Sequence, residues 1–273
     1  MALGLGIGVY WATNLAGGSG FTGLLDTYSG AAAAYSLRQL SSTYSGSAIQ
    51  VTTNGTDSAD IGFVNNELDT ASLEAFAGSG DAFIKTWYDQ SGNGNDATQV
   101  AQTSRPKIVS VGSTILVDGK PAMLFDEGDE FFRMPVPASS RQDFFVVLKT
   151  NDTQFILMEG DGTDEYNVAA KSGSTSSAIS SIYGSPSYYK NGVLQSPSTR
   201  ADMYDIFSTD AQLLLTNLNG DSSTWGNQFD FGFYSSANAL QGYVQEAVYY
   251  NSDQLSNQSG IETNINSHYN IYP

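Results

Sequence analysis

Oxygen-bearing side chains crowd one short loop of this sequence, directly after the apolar segment that ends at Trp87-Tyr88. The loop residues that could bind a hard cation such as calcium are Asp89, Asn93, Asn95 and Asp96. The same side chains can instead hydrogen-bond their own backbone, as Asx-turns do. We favour this second interpretation, because the spacing does not match a complete EF-hand loop, and we expect no obligatory cofactor.

A second group of candidate residues is aromatic. Tyr and Trp rings can stack on sugars, and such rings are common in sugar-binding surfaces. The candidate glycan-binding residues are Tyr183, Tyr188, Tyr189 and Trp225. Packing in the core of a β-sheet protein is the alternative, and the more common, role for any single ring among them.

The composition excludes several kinds of chemistry. The 273 residues include no Cys and one His, which rules out thiolate nucleophiles, thiolate zinc sites, iron–sulfur clusters and sites with two histidines. Lys and Arg number 11 against 28 Asp and Glu, so the net charge is −17, and no basic run occurs. A nucleic-acid partner is therefore not expected.

The strand before the 89–96 loop must position it, and we predict this strand over Phe83–Tyr88 from its aromatic and β-branched residues. Further strands are predicted over Val109–Val117, Met123–Phe125, Asp143–Lys149, Phe155–Glu159, Ala178–Tyr183, Ser187–Lys190, Val193–Gln195, Ala211–Leu215, Asp230–Tyr234 and Gly242–Tyr250. The Asn191-Gly192 pair predicts a hairpin with a type I′ turn, since both central residues of that turn have positive φ. The spacing of turn signals is typical of a β-sandwich.

Helices are predicted at three places. Ala31–Leu40 is rich in Ala and Leu, and Thr70–Phe76 follows an Asp that can cap its first turn. A C-terminal helix would carry on one face Ile261, Ile265, His268 and Tyr269. We expect a structural role for His268, because no second His or Cys is present to act with it.

Residues 1–20 differ from the rest of the chain. Leu3, Leu5, Ile7 and Val9 alternate with glycine, which suits an extended arm packed on its own domain or on a partner subunit. The stretch lacks a preceding basic residue and glycines interrupt it, so we predict neither a signal peptide nor a membrane span. We expect an apolar, Gly-rich arm at residues 1–20 and a single all-β domain with a C-terminal helix at residues 21–273.

Several segments resemble, in their order, landmarks of the LamG-like, concanavalin A-type jelly-roll sandwich. They are residues 87–97 (WYDQSGNGNDA), 118–126 (DGKPAMLFD), 189–193 (YKNGV) and 241–251 (QGYVQEAVYYN). Upstream, residues 33–38 (AAYSLR), residues 44–46 (YSG) and the helix predicted after Asp69 resemble the catalytic domain of fungal-type α-L-arabinofuranosidase B. The resemblance implies an antiparallel jelly-roll sandwich with a few short helices from about residue 31 onward. The glycine-rich start followed by this body also resembles bacteriophage virion proteins.

The resemblance to a glycosidase implies two catalytic carboxyl groups. One would lie shortly before Gln241-Gly242, where residues 231–240 contain no Asp or Glu. The other would fall near Glu159, Asp161, Asp164 or Glu165. The residues that could replace the missing group are Glu246, Asp230 and Asp221, and we expect Glu246 to share a strand face with Val244 and Val248. We therefore assign no catalytic residue and expect no enzymatic activity.

The leading hypothesis is a non-enzymatic bacteriophage virion structural protein, either a capsid decoration (cement) protein or a tail-associated one, with a carbohydrate-binding-like sandwich. The alternatives are a carbohydrate-binding adhesin module and an active α-L-arabinofuranosidase-like glycoside hydrolase. Expected partners are further copies of the chain, as a homotrimer, other virion proteins contacted through the arm, and a glycan. The expected location is the virion surface, after synthesis in the host cytoplasm.

Overall fold

The computed structural model describes residues 20–54, 57–126, 128–150, 152–160, 165–178, 183–226, 228–232 and 239–273. The predicted arm lies outside these residues except for Gly20, as do Asp161, Asp164 and most of the strand predicted over Ala178–Tyr183. None of the helices in this described part is both long enough and apolar enough to cross a membrane.

The described residues form four α-helices, one short 3-10 turn (Gln102–Ser104) and 21 strands. The helices are α1 (Leu24–Thr27), α2 (Thr70–Ala77), α3 (Arg200–Phe207) and α4 (Gln258–Tyr269). The strands are β1 (Ala33–Ser36), β2 (Ile49–Thr52), β3 (Ser58–Ile61), β4 (Phe63–Val64), β5 (Glu67–Leu68), β6 (Ala82–Trp87), β7 (Ala97–Thr98), β8 (Lys107–Ser110), β9 (Ser113–Thr114), β10 (Leu116–Val117), β11 (Lys120–Pro121), β12 (Met123–Phe125), β13 (Phe132–Met134), β14 (Gln142–Lys149), β15 (Gln154–Gly160), β16 (Glu165–Lys171), β17 (Gly184–Lys190), β18 (Val193–Gln195), β19 (Leu213–Gly220), β20 (Phe229–Phe231) and β21 (Gly242–Tyr250).

Two layers of antiparallel strands make up the body of the protein. Sheet I has the order β3–β2–β6–β7–β13–β20–β15–β16. Sheet II has the order β9–β8–β12–β21–β14–β19–β17–β18, and β1 pairs with β21 next to β12. The layers are continuous where β6 also pairs with β8. The predicted all-β antiparallel sandwich is confirmed.

Aromatic side chains from both sheets meet in the main core. Trp87 of β6 lies 5.4 Å from Tyr35 of β1, measured between ring centres, and Phe229 of β20 lies 5.3 Å from Tyr249 of β21. These four side chains are almost completely buried. Burial of such large rings supplies most of the attraction between the two layers.

A second, smaller core covers the outer face of sheet II. Ile261, Ile265 and Tyr269 of α4 pack there against Val248 and Tyr250 of β21. The predicted C-terminal helix is confirmed, and its apolar face is the one that docks. The helix is thus held by tertiary packing, which is the usual source of stability for a helix of this length.

The prediction of a helix over Ala31–Leu40 is wrong, because Ala33–Ser36 forms β1 instead. All four residues of β1 are buried, and their backbone pairs with β21 from Ala33↔Tyr249 to Ser36↔Glu246. Ala favours a helix when a segment is considered alone. Here its small side chain lets a strand lie in the middle of a packed layer, and the tertiary contacts override the local preference.

Two local predictions are confirmed. Helix α2 begins after Asp69, whose side chain accepts a hydrogen bond from the Ser72 N–H (3.0 Å). Asn191 and Gly192 connect β17 to β18 with φ values of 53° and 76°, as a type I′ turn requires. The strand predicted over Val109–Val117 is divided among β8, β9 and β10.

The prediction that Glu246 shares a face with both Val244 and Val248 is wrong in part. The pairing of β14 with β21 shifts register at this point, from Val147↔Glu246 to Leu148↔Val244. Such a bulge interrupts the two-residue alternation of side chains. Val244 therefore lies in the main core, whereas Val248 lies in the core under α4.

Candidate functional site

The loop at residues 89–96 lies along β1 and supplies hydrogen-bond partners as a neighbouring strand would. The Ala34 N–H donates to Asp89 Oδ1 (2.9 Å), and the Gln90 N–H donates to the Ala34 carbonyl (2.8 Å). Among the described strands, β1 pairs with β21 alone. The loop thus satisfies backbone groups that would otherwise be buried without a partner.

Asp89 is the central side chain of this loop. It is 5% exposed, and Oδ1 accepts from the N–H groups of Ala34 and Ser91, while Oδ2 accepts from Ser91 Oγ and the Asn95 N–H. Asp96 Oδ1 in turn accepts from the Asp89 N–H (2.9 Å). These are the bonds expected of an Asx-turn that closes the loop on itself.

The amide side chains of the loop also bond to the backbone of residues 31–40. Gln90 Nε2 donates to the carbonyls of Ser36 (3.1 Å) and Arg38 (3.0 Å), and its Oε1 accepts from the Leu40 N–H (2.8 Å). Asn93 and Asn95 donate through Nδ2 to carbonyls of residues 31 and 32. The loop therefore fixes the position of β1 through hydrogen bonds to the backbone on both sides of it.

The bonding within the loop bears on the candidate calcium ligands Asp89, Asn93, Asn95 and Asp96. The four acceptor positions of the Asp89 carboxylate are already used by hydrogen bonds, so a cation would have to displace them. In the described part of the chain, no group of three or more acidic or His side chains is placed to hold a metal ion.

Three of the four aromatic candidates lie in the core. Tyr183, Tyr188 and Trp225 are at most 3% exposed. Their burial favours the alternative role of core packing for these three rings, because a ring without accessible surface cannot stack on a sugar. Tyr189 is half-buried beside the core under α4. Alternation along β17 separates it from Tyr188, since neighbouring strand residues point to opposite faces.

A row of polar side chains crosses sheet I on the face that points away from the core. The strand register aligns its members, which are Asp60, Gln50, Thr86, Thr98, Arg133, Asp230, Glu159 and Tyr166. Their neighbours along the strands, such as Trp87, Phe132 and Phe231, belong to the core. We call these eight residues the polar row. Thr86 and Glu159 are buried within the row (8% and 7% exposed), whereas the other six side chains are at least partly accessible. Carboxylates, amides, hydroxyls and an Arg on one face are groups that bond sugar hydroxyls.

The polar row brings together two carboxyl-bearing residues that the sequence analysis singled out. Glu159 of β15 lies directly opposite Asp230 of β20, and Cβ atoms of such pairs are about 4.5–5.5 Å apart. Arg133 of β13 donates to both oxygens of Asp230, from Nε to Oδ1 (2.9 Å) and from Nη2 to Oδ2 (3.0 Å). Asp230 is thus held by a bidentate ion pair. Glu165 lies opposite Gly160 at the start of β16.

The other two carboxylates considered as replacements lie elsewhere. Asp221 follows β19, and its Oδ1 accepts from the N–H (2.9 Å) and Oγ (2.6 Å) of Ser223. Glu246 is completely buried beneath α4, where it pairs with Arg38 through Nε–Oε2 (2.7 Å) and Nη2–Oε1 (2.9 Å). Neither side chain is available to a substrate at the polar row.

Glu246 and Arg38 form the centre of a buried polar cluster between β1, β21 and α4. Ser36 Oγ (2.8 Å) and Tyr269 Oη (3.2 Å) also donate to Glu246, and Arg38 Nη2 donates to Asn264 Oδ1 (3.0 Å). Burial alone would raise the pKa of the Glu246 carboxyl, but the charge of Arg38 and the hydrogen bonds hold this pKa below its usual range.

His268 lies beside this cluster, and its ionisation predicts a pH-dependent stability. Burial and the positive charge of Arg38 lower its pKa from 6.5 to about 4, although Glu246 and Glu67 oppose the shift and Lys120 adds to it. Between pH 6.5 and about 4 the unfolded chain takes up a proton at this residue that the folded chain does not. We expect the free energy of unfolding to fall as the pH is lowered through this window.

Urea unfolding of the wild type and His268→Gln over this pH range measures the effect. The variant lacks the titrating group, so its stability should fall less between pH 6.5 and 4 than that of the wild type. Equal slopes for the two proteins would contradict the assignment.

Comparison with solved structures identifies proteins with a similar fold. An arabinofuranosidase complexed with arabinofuranosyl-α-1,2-xylobiose is similar with a TM-score of 0.56 and 15% identity, over 86% of this chain and 62% of that chain. This chain has the β-sandwich fold of that enzyme. A GH54 α-L-arabinofuranosidase soaked with a cyclic sulfate inhibitor and a mutant soaked with 4-nitrophenyl α-L-arabinofuranoside are similar with TM-scores of 0.55, at the same identity and coverage. The chain thus spans about 62% of the length of these enzymes. No protein-family model and no curated protein matches the sequence.

The polar row was not predicted from the sequence. Its members come from eight strands spread between residues 50 and 230, so no local pattern joins them. A weak signal exists in Phe132-Arg133-Met134 and Phe229-Asp230-Phe231, where one charge stands between two core residues. That pattern predicts a strand with one outward charge, but not which charges become neighbours.

Proposed function

We propose that this chain is a non-enzymatic structural protein of a bacteriophage particle, either a capsid decoration (cement) protein or a tail-associated one, built on a glycosidase-like sandwich. The non-enzymatic part of the proposal rests on two of the carboxylates that could replace the missing catalytic carboxyl group, because both already bind Arg side chains. Residues 231–240 contain no Asp or Glu, Asp230 is tied to Arg133, and Glu246 is buried against Arg38. A retaining glycosidase needs one carboxyl as nucleophile and one as acid and base.

Hydrolysis of a chromogenic α-L-arabinofuranoside tests the non-enzymatic part of the proposal. We expect no release of the chromophore above the uncatalysed rate at any pH between 4 and 9. Turnover that is abolished by Glu159→Gln, but retained by the control variant Lys149→Gln, would contradict the proposal and would identify Glu159 as a catalytic carboxyl group.

The proposed partners are further copies of the chain, as a homotrimer, and other proteins of the particle contacted through residues 1–20. The uncharged alternation of Leu3, Leu5, Ile7 and Val9 with glycine suits a strand that adds to the edge of a neighbouring sheet. Edge strand β18 pairs with β17 alone among the described strands and exposes Val193 (63%) and Leu194 (59%). An exposed apolar edge is a surface on which such a strand can bind.

Mass spectrometry of purified particles tests the structural role. We expect the chain in intact, nuclease-treated particles at a constant ratio to the major capsid or tail protein. In a phage that encodes Ile7→Asp, incorporation should fall, whereas Lys149→Gln should be incorporated normally. Absence of the wild-type chain from intact particles would overturn the proposal.

A second candidate function, glycan binding, is favoured by one specific observation. The polar row presents carboxylate, amide, hydroxyl, guanidinium and phenol groups on one sheet face, where a chain of sugars can lie across the strands. Arg133 is the most exposed charged member near the centre of the row, with 47% of its side chain accessible. The protein would then contact a host or environmental glycan from the particle surface.

Binding of the multivalently displayed protein to a glycan array measures this second function. We expect Arg133→Met to weaken binding about tenfold or more, since a hydrogen bond from a charged donor contributes about 1.5–3 kcal/mol and 1.4 kcal/mol corresponds to a factor of ten. Lys149→Gln is the control. No binding by the wild type, even in the multivalent form, would exclude this second function and leave the structural role.

A further inference from the structure

Four hairpins of the described structure turn through two residues that both have positive φ, as type I′ turns do. In three of them the first turn residue is Asn or Asp, which tolerate positive φ better than other residues with a side chain. The hairpin between β8 and β9 instead has a valine there, Val111, with a φ of 49°. The four turns are Asn65-Asn66, Val111-Gly112, Asp118-Gly119 and Asn191-Gly192.

The backbone of Val111 is strained. A β-branched residue at positive φ is a conformational outlier, because its Cβ comes too close to the following carbonyl oxygen. Packing inside the chain does not compensate for this strain, since Val111 is 79% exposed. Single exposed valines are ordinary on protein surfaces. A valine that is exposed and also strained lowers the stability of the free chain, and such positions are characteristic of functional sites.

Hydrogen bonds hold the hairpin that carries Val111 in one place. The Val111 N–H donates to Asp81 Oδ1 (2.8 Å). The N–H and Oγ1 of Thr114, on β9, both donate to Glu74 Oε1 of α2 (2.9 and 2.8 Å). The valine side chain is therefore presented to solvent in a fixed position. A side chain that is fixed before binding loses less conformational entropy when a partner covers it.

The surface around Val111 consists of small, uncharged residues. The turn packs on residues 78–80, where the Gly112 N–H donates to the Gly80 carbonyl (2.8 Å). Residues 78–80 (GSG) and 110–113 (SVGS) include no acidic or basic residue. We call these seven residues the valine tip. The valine tip therefore offers a partner one branched apolar side chain and no charge.

The chemistry of the valine tip indicates the kind of partner that fits it. A single exposed aliphatic side chain gains most when it enters an apolar pocket, where its whole surface is removed from water. The tip has no charge that could offset the repulsion between two copies of this chain, each with a net charge of −17. The surface therefore suits a different protein.

We infer that Val111 is an anchor residue, which docks into an apolar pocket of another protein of the particle. The inference rests on the proposed structural role and adds a second contact to the one proposed for residues 1–20. Burial of the valine in the complex offsets the strain that the free chain carries.

Val111→Asn tests the inference, because it gives this turn the Asn-Gly sequence found at residues 191–192. The strain is removed with the valine, so the melting temperature of the free chain should rise by about 2–4 °C. Incorporation into particles should fall about tenfold or more, because the anchor side chain is lost. Scanning calorimetry measures the first effect, and mass spectrometry of purified particles measures the second.

Two further variants separate the strain from the contact. Val111→Thr keeps a β-branched side chain and therefore the strain, so its melting temperature should match that of the wild type. Its hydroxyl would enter the apolar pocket without a partner, so incorporation should still fall. Val100→Asn is the matched control, because Val100 is also exposed (83%) but lies outside the positive-φ region. It should change neither quantity.

Wild-type incorporation of Val111→Asn would overturn the inference. A melting temperature of Val111→Asn no higher than that of the wild type would also overturn it, because the valine would then not be strained. Self-association of the free wild-type chain that Val111→Asn abolishes, measured by sedimentation, would identify a second copy as the occupant and would overturn it too. Absence of the wild-type chain from particles would refute the proposed structural role, and this partner with it.

Discussion

Replacing Glu246 with Gln should lower the free energy of unfolding by about 3–5 kcal/mol, because removal of one partner leaves the other charge of a buried ion pair uncompensated. Arg38, with 9% of its side chain exposed, would lose the carboxylate that accepts from both Nε and Nη2. The same change weakens the contact between β21 and α4, since Tyr269 Oη also donates to Glu246. Urea unfolding at pH 7 measures the loss.

A double variant distinguishes the cost of an unpaired charge from the value of the pair itself. Arg38→Met/Glu246→Leu removes both charges and should recover much of the stability that Glu246→Gln loses, because apolar replacements of a buried pair are often neutral or stabilising. Lys149→Gln is the control, since the Lys149–Asp210 pair is partly exposed and its charged atoms are 3.8 Å apart, and it should change stability by less than about 1 kcal/mol. A Glu246→Gln variant as stable as the wild type would refute the assigned role.

The same ion pair contributes to acid sensitivity. The folded pKa of Glu246 lies below the ordinary value of 4.5 that applies to the unfolded chain. Its contribution to stability is therefore complete above pH 4.5 and is lost as the pH falls through the lower, folded pKa. This loss occurs at lower pH than the one expected from His268, so the two groups weaken the attachment of α4 in successive pH ranges.

Replacing Asp89 with Ala should cost at least about 3 kcal/mol, because it leaves three backbone N–H groups without an acceptor and each such buried group costs about 1–3 kcal/mol. The donors are the N–H groups of Ala34, Ser91 and Asn95. Asp89→Asn should cost less, since its remaining oxygen can still accept from two of them. Guanidinium unfolding monitored by Trp fluorescence measures both losses, because Trp87 lies two residues before the loop.

Two measurements complete the test of Asp89. Asp60→Asn is the matched control, since among the described residues this exposed carboxylate accepts hydrogen bonds from the side chains of Gln50 and Tyr88, and it should change stability by less than about 1 kcal/mol. Calcium at millimolar concentration should leave the melting temperature of the wild type unchanged. A calcium-dependent rise that disappears in Asp89→Ala would contradict the hydrogen-bonding role and would identify a cation site.

Features that depend on neighbouring residues were predictable from the sequence. The Asn191-Gly192 turn follows from the ability of these two residues to adopt positive φ, and β18 begins immediately after it. Helix α2 follows from the cap at Asp69 and ends before Gly78, while α4 follows from the spacing of Ile261 and Ile265. The sequence signal for each of these features lies within a few positions of the chain.

Features that depend on distant residues were predicted wrongly or not at all. Ala33–Ser36 forms a strand because β21, more than 200 residues later, and the Asp89 loop supply its hydrogen bonds. Helix α3 was missed, although Thr199 and Asp202 cap its first turn reciprocally and Met203, Ile206 and Phe207 are buried. Arg200, Asp202 and Asp205 make this segment polar, so its apolar spacing is a weak signal before the packing against β16 is known.

The sequence by itself determined an acidic, cysteine-free, all-β chain, because composition and two-residue alternation can be read without knowing which residues are in contact. Only the tertiary structure decided which polar residues meet. The pairing of β13, β20 and β15 places Arg133, Asp230 and Glu159 side by side, and the bulge in β21 sends Glu246 under α4 instead. The physical reason is that strand pairing and bulges depend on how much apolar surface is buried across both sheets. No single segment of the sequence contains that information.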